Sequence, residues 1–155
     1  MATTATRAKT PLLDSPLTRF PTLAGPVTPI VSPDNYFAQV KNVIDGATTG
    51  LYLQQQYIVG GDTAPSIEKL VTAVKARHDA GVDVRIIVSS RFAKGWNDTK
   101  STLEAHGLLK RLKAINLDNF IHCHNKGVIA DDHVVVSSTN WSENSVRRAR
   151  EAGVE

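Results

Sequence analysis

Residues 122–141 read HCHNKGVIADDHVVVSSTNW: two polar clusters either side of an apolar run, a turn and a valine run. Valine and isoleucine fit a pleated, half-buried surface. Asp131–Asp132 separates the two runs with residues that favour turns. The stretch therefore predicts a β-hairpin, with strands over residues 122–130 and 133–138. Side chains two apart share a face of a strand. His122, His124 and Lys126 fall on one face; Cys123, Asn125 and Gly127 fall on the other. An imidazole beside an ammonium makes a compact anion pocket. The lysine supplies a point charge, and the histidine can donate a proton or attack an electrophile. Asp131, at the strand end, is placed to orient a neighbouring group. Across the hairpin, Ser138 and Asn140 share a face and offer short polar groups to phosphate oxygens or to the histidine ring.

The flanking segments supply a sheet for the hairpin to join. VDVRIIVSS (82–90) is nearly continuous in apolar residues, the pattern of a strand covered on both faces. In GLYLQQQYIV, Leu51, Leu53 and Gln55 alternate with Tyr52, Gln54 and Gln56. VTPIVS (27–32) reads as an edge strand, the one place where Pro29 can omit an N–H. Ser32 looks like an N-cap with Pro33 at the first helical position, opening a helix over 33–46 whose apolar side is Tyr36, Phe37, Val40, Val43 and Ile44. A second helix starts at Pro65 and Ser66, carries Ile67, Leu70, Val71 and Val74, and stops at Gly81. A third helical region spans 98–114 with a break at Gly107. The order β-α-β-α-β-α-β-β predicts an α/β fold with a mixed β-sheet sandwiched between helices. Residues 1–25, rich in Thr, Ala and Pro, read as a linker or tail, leaving 26–155 as one domain.

The totals fit that plan. A chain of 155 residues with 41% hydrophobic side chains can bury one core. The formal charge of +3 permits an anionic partner without the dense basic stripe of a DNA clamp. One cysteine excludes an internal disulfide. No apolar run approaches the roughly 20 residues that span a bilayer, and the N-terminus lacks the continuous apolar core of a secretory signal, so the chain reads as soluble.

His124-Asn125-Lys126-Gly127-Val128-Ile129-Ala130-Asp131 resembles the HxKxxxxD signature of the phospholipase D superfamily. Ser137-Ser138-Thr139-Asn140 stands where that family carries GSxN, and NWSENSVRRAREAGVE is similar to its continuation into an acidic-Ala-Gly-Val strand. SPDNY, LYLQQQYI and AGVDVRIIV match in order, so the resemblance covers residues 27–155. It implies a phospholipase D-like lobe, truncated after AGVE, and a reaction that needs no metal or other cofactor. One histidine attacks phosphorus to give a phosphohistidine, a second protonates the leaving alcohol, and water or another alcohol releases the enzyme. Carried over, His124 is nucleophile or acid, Lys126 the phosphate clamp and Asp131 the orienting carboxylate, with Ser138 and Asn140 as supporting polar groups. Two departures stand out. Ser137 replaces a glycine, and the gap from Asp131 to Ser137 is one residue short, which predicts a tighter hairpin.

Plainer readings compete. His124 and Lys126 alone would pass for an exposed strand pair. His122 reads as a rim residue and Cys123 as a small buried hydrophobe. Metal binding by His122, His124, Cys123 and His133 is opposed by Cys123 facing away from the two histidines. Gln54, Gln55 and Gln56 could line the site from the preceding strand or serve as ordinary strand polar groups, Trp141 reads as core, and Trp96 as a loop residue near the substrate mouth. Lys110, Arg111 and Lys113 read as a solvated helix face.

The implied chemistry asks for two histidines, and only one HxKxxxxD is present. The missing half would come from a homodimer mate or a second lobe bearing its own motif. The leading expectation is a phosphodiesterase acting on phospholipid or another phosphodiester, with membrane-surface contact. A nuclease of the same superfamily and a non-catalytic interaction lobe are the alternatives.

Overall fold

The computed structural model describes residues 26–91, 93–115 and 124–155; the tail expected over 1–25, and His122 and Cys123, lie outside the described residues. Within them the alternating apolar residues form rows across a seven-stranded mixed sheet. Its strands are β1 (Pro29–Ser32), β2 (Gly50–Gln55), β3 (Asp83–Val88), β4 (Leu112–Ala114), β5 (Lys126–Ala130), β6 (His133–Ser137) and β7 (Glu151–Val154), in the order β1-β7-β6-β5-β2-β3-β4. β2, β3 and β4 run parallel, and all other pairs are antiparallel. Parallel neighbours require crossovers. Helices α2 (Pro65–Asp79) and α3 (Ala93–Ala105) provide them, while α1 (Tyr36–Gly46) joins β1 to β2 and a short α4 (Glu143–Arg147) joins β6 to β7.

One row shows how the core is made. Ile86 pairs with Leu53, Leu53 with Val128, and Val128 with Val135. All four are at most 2% exposed, and each contributes roughly 1.5–3 kcal/mol by burial. Onto this face α1 lays Tyr36, Val40, Val43 and Ile44, and α2 lays Ile67, Leu70, Val71 and Val74. The opposite face is different. Tyr52, Ile87, Ile129, Val134 and Val136 are 38–57% exposed, so β3 is covered on one face among the described residues, not on two. Val84, Ile86 and Val88 fall on the covered face, Arg85 and Ile87 on the open one.

Three sequence expectations shift. Helix α1 begins at Tyr36, not Pro33, because Ser32 is taken into β1 opposite Glu151. Asn35 closes the strand end, accepting from the Val31 N–H at 2.7 Å and donating to the Pro29 carbonyl at 2.9 Å. The third helix ends at Ala105, ahead of Gly107 at φ +68°. Beyond one 3-10 turn, Leu112–Ala114 pairs parallel with Ile86–Val88 as β4, so Lys113 lies on a strand. Trp96 sits on α3, packed against the core with Lys100 over its ring, and not on a loop.

The one-sided burial sets a pair of stabilities apart. Ile86→Ala should cost about 2–5 kcal/mol in urea unfolding, as a cavity in a packed core. Ile87→Ala, one residue along on the open face, should cost less than about 1 kcal/mol. Equal losses at both positions would contradict an open face.

Candidate functional site

Lys126 opens β5 in the helix-covered row of Val128 and Ala130, and is only 3% exposed. His124, two residues earlier, is exposed and precedes the strand. The Lys126 ammonium donates to the His124 ring Nδ1 at 2.8 Å and to the His124 carbonyl at 2.8 Å. The structure thus brings the two predicted residues together. An ammonium has donors only, so in this contact Nδ1 accepts. Lys126 pairs with Ser137 across the hairpin.

Ser137 leads to the other predicted groups. Ser138 is exposed at the same end of the sheet, and its hydroxyl donates to the Glu151 carboxylate and accepts from the Ala152 N–H at 3.2 Å. Asn140 is half-buried, and its Oδ1 is buried with no hydrogen-bond partner among the described residues. The segment carrying it is anchored by Trp141, which is fully buried as expected. The Trp141 indole donates to the Tyr36 hydroxyl at 3.2 Å, and its carbonyl accepts from the Val59 N–H at 2.9 Å. Glu143 on α4 accepts from the Ser66 N–H and hydroxyl at 2.8 and 2.9 Å. That puts a carboxylate at the N-terminus of α2, where the helix dipole favours negative charge. Arg147 donates to the same hydroxyl at 2.7 Å. Two helices therefore brace the strand end that presents Asn140.

Asp131 is placed elsewhere. It sits in the turn at the far end of β5, about 17 Å from Lys126 at roughly 3.3 Å per strand residue. Its carboxylate accepts from the Thr48, Thr49 and Gly50 N–H groups and from the Thr48 hydroxyl, all at 2.8–2.9 Å. The orienting role expected from the motif is thus corrected: Asp131 clamps the loop from α1 to β2, and its own backbone takes φ +52° to do so. Those donors, with Gly50 first, hold its pKa well below the ordinary carboxylate range. His133 belongs to this far end too, with its ring 3.0 Å from Glu155, so it cannot share a metal with His124.

Sequence reasoning missed two residues at the site end, Glu151 and Tyr36, and left Gln55 between two readings. Glu151 supplies a carboxylate there through Ser138. Tyr36, against Trp141 and Ser137, has its pKa pushed up to about 12, chiefly by burial, and stays a neutral phenol at working pH. Gln55 is 1% exposed, and neither amide atom has a partner among the described residues. The signal for Gln55 was visible: a glutamine at the inward position after Leu51 and Leu53. On the open face of the sheet an apolar trough of about 760 Å3, floored by Tyr52, Ile87, Ile129, Val134 and Val136, reaches His124, Lys126 and Ser138.

Residues 40–155 match the family described as cardiolipin synthase, PLD-like domain. The fold is similar to a phospholipase D family member, Nuc, from Salmonella typhimurium (24% identity, TM-score 0.66, covering 83% of this chain and 80% of that one). NucT from Helicobacter pylori is comparable (18%, 0.62, 83% and 83%). Phosphatidylserine synthase from Haemophilus influenzae matches with 14% identity and a TM-score of 0.63, over 83% of this chain and 32% of that one. The search of curated proteins gave no match.

The Asp131 clamp makes a pH-dependent prediction. A depressed folded pKa contributes stability above the unfolded value of about 3.9, and that contribution fades as pH falls from there toward the folded value. Asp131→Asn should melt below the parent protein throughout pH 5–8, and the gap should close below about pH 4. A gap that stayed constant down to pH 3 would show that charge is not what Asp131 contributes.

Proposed function

The chain belongs to the phospholipase D-like family, and on that premise we propose that it is a phosphodiesterase whose His124 and Lys126 form one half of a two-histidine site. The carrying observation is the buried Lys126 ammonium against the His124 ring, at the rim of an apolar trough. Lys126 clamps a non-bridging phosphate oxygen, and the charge that develops on that oxygen in the transition state strengthens the contact. An arriving anion also draws the ammonium away from Nδ1. Water then gives a proton to Nδ1 and takes the one on Nε2, leaving the Nε2 lone pair for attack on phosphorus. The N–P bond forms as the bond from phosphorus to the leaving alcohol breaks. A second histidine, from a second copy or another lobe, gives its proton to that alcohol, and water then cleaves the phosphohistidine. Asn140 supports the site from the braced segment after β6, and Ser138 holds Glu151 at its edge.

The trough favours a lipid phosphodiester. Its floor offers apolar side chains to an acyl chain, and membrane-surface contact would bring such a substrate to it. A nucleic acid requires several cations along its path. Arg85, the cation on the trough's far side, is already held by Asp83 at 2.7 Å and lies over Tyr52. Among the described residues no helix is long and apolar enough to cross a membrane.

Phosphatidylcholine vesicles and single-stranded DNA, each offered to the parent chain and to His124→Ala, test the reading. The expected result is head-group release from vesicles that falls at least 1000-fold in His124→Ala, persists in EDTA, and passes through an acid-labile phosphoprotein. Cleavage of the DNA alone would shift the substrate to nucleic acid. Cleavage of neither by a chain that sediments as a monomer would make it a non-catalytic lobe.

A further inference from the structure

The register of the sheet puts one further side chain at this site. β2 and β5 are antiparallel, with Leu53 opposite Val128 and Gln54 opposite Gly127. One step on, Gln55 lies opposite Lys126, in the same helix-covered row. Gln55 is 1% exposed, yet its Nε2 and Oε1 both lack a hydrogen-bond partner among the described residues. A dry, unpaired amide is costly, and nearly all buried polar groups in proteins are satisfied. Such a group survives where a ligand completes it. Asn140 Oδ1, on the chain segment that pairs with Ile58 just beyond Gln55, is left open in the same way.

Resting on the phosphodiesterase reading above, we propose that Gln55 is a positioning residue for the phosphoryl group, its Nε2–H donating to a non-bridging oxygen beside the Lys126 contact. A neutral donor next to a cation adds direction without adding charge. Lys126 attracts any anion, while Gln55 selects a phosphoryl group turned so that phosphorus faces His124. Its Oε1 remains an acceptor for the Lys126 ammonium once that ammonium leaves Nδ1. No bond to phosphorus forms or breaks at Gln55.

Binding of inorganic phosphate, followed by calorimetry or by phosphorus NMR, tests this without requiring turnover. The parent chain, Lys126→Ala, Gln55→Leu and Gln55→Met are compared, Met being the closest apolar match in length should Leu disturb the fold. Both Gln55 variants should bind phosphate at least ten-fold more weakly while melting at or above the parent temperature, since an unpaired buried amide has been removed. With a phosphodiester that turns over, kcat should fall about 100-fold and KM much less, the mark of a contact that tightens in the transition state. Phosphate binding lost in Lys126→Ala but unchanged in both Gln55 variants would overturn the role of Gln55 and leave the site standing. Phosphate binding indifferent to Lys126→Ala would overturn the site itself, and this inference with it. A lowered melting temperature with unchanged phosphate affinity would make Gln55 structural only.

Discussion

The register between β2 and β5 sets which side chains share a row across the sheet, and the carboxylate of Asp131 pins it. Four donors from Thr48, Thr49 and Gly50 converge on that one group, and the Asp131 N–H returns a bond to the Gly50 carbonyl at 3.0 Å. The start of β2 is thereby tied to the end of β5. In a pleated pair, a slip of one residue would turn every side chain to the other face. Leu53 would lose Val128, and the far end of the pair would present Gln54 in place of Gln55 to Lys126. A charge at one end of the hairpin thus decides which residue of β2 shares the row of Lys126 at the other.

At that other end the sheet carries a concentration of buried polar groups that no hydrophobic accounting would place there. Ser32, Gln55, Lys126 and Thr139 are each at most 3% exposed. Ser32 and Thr139 share a hydroxyl contact at 3.4 Å, and Trp141, Tyr36 and the Glu143–Ser66–Arg147 group fix the backbone around them. The rigid part of the site comes from strand ends and buried aromatic anchors. The exposed part is His124, which stands just before β5.

How far the sequence carried this follows from where each decision is made. The alternation of Leu51, Leu53 and Gln55 and the Pro29 edge are local, and both read correctly as structure; the strand expected from residue 122 begins only at Lys126 among the described residues, with His124 ahead of it. Asp131 did not read correctly, because sequence spacing fixes its distance from Lys126 along the chain but not the donors that await it 80 residues upstream. Ser32–Pro33 has the local look of a helix start, yet pairing with Glu151, far along the chain, takes Ser32 into a strand. Leu112–Ala114 has little strand character of its own and is recruited by the exposed edge of β3, a tertiary override of local preference. The helical layers were legible as amphipathic stripes. That the described residues cover only one side of the sheet was not, because Ile87 and Val134 look the same in a sequence whether or not something lies on them.

The two borders of the sheet contrast with its open face. β1 ends the sheet on one side with Pro29 in the strand, and β4 ends it on the other with only three residues, one of them Lys113. Short, proline-bearing or lysine-bearing borders are poor templates for adding another strand. Edge-on addition of a further strand is therefore disfavoured at both borders that the described residues form.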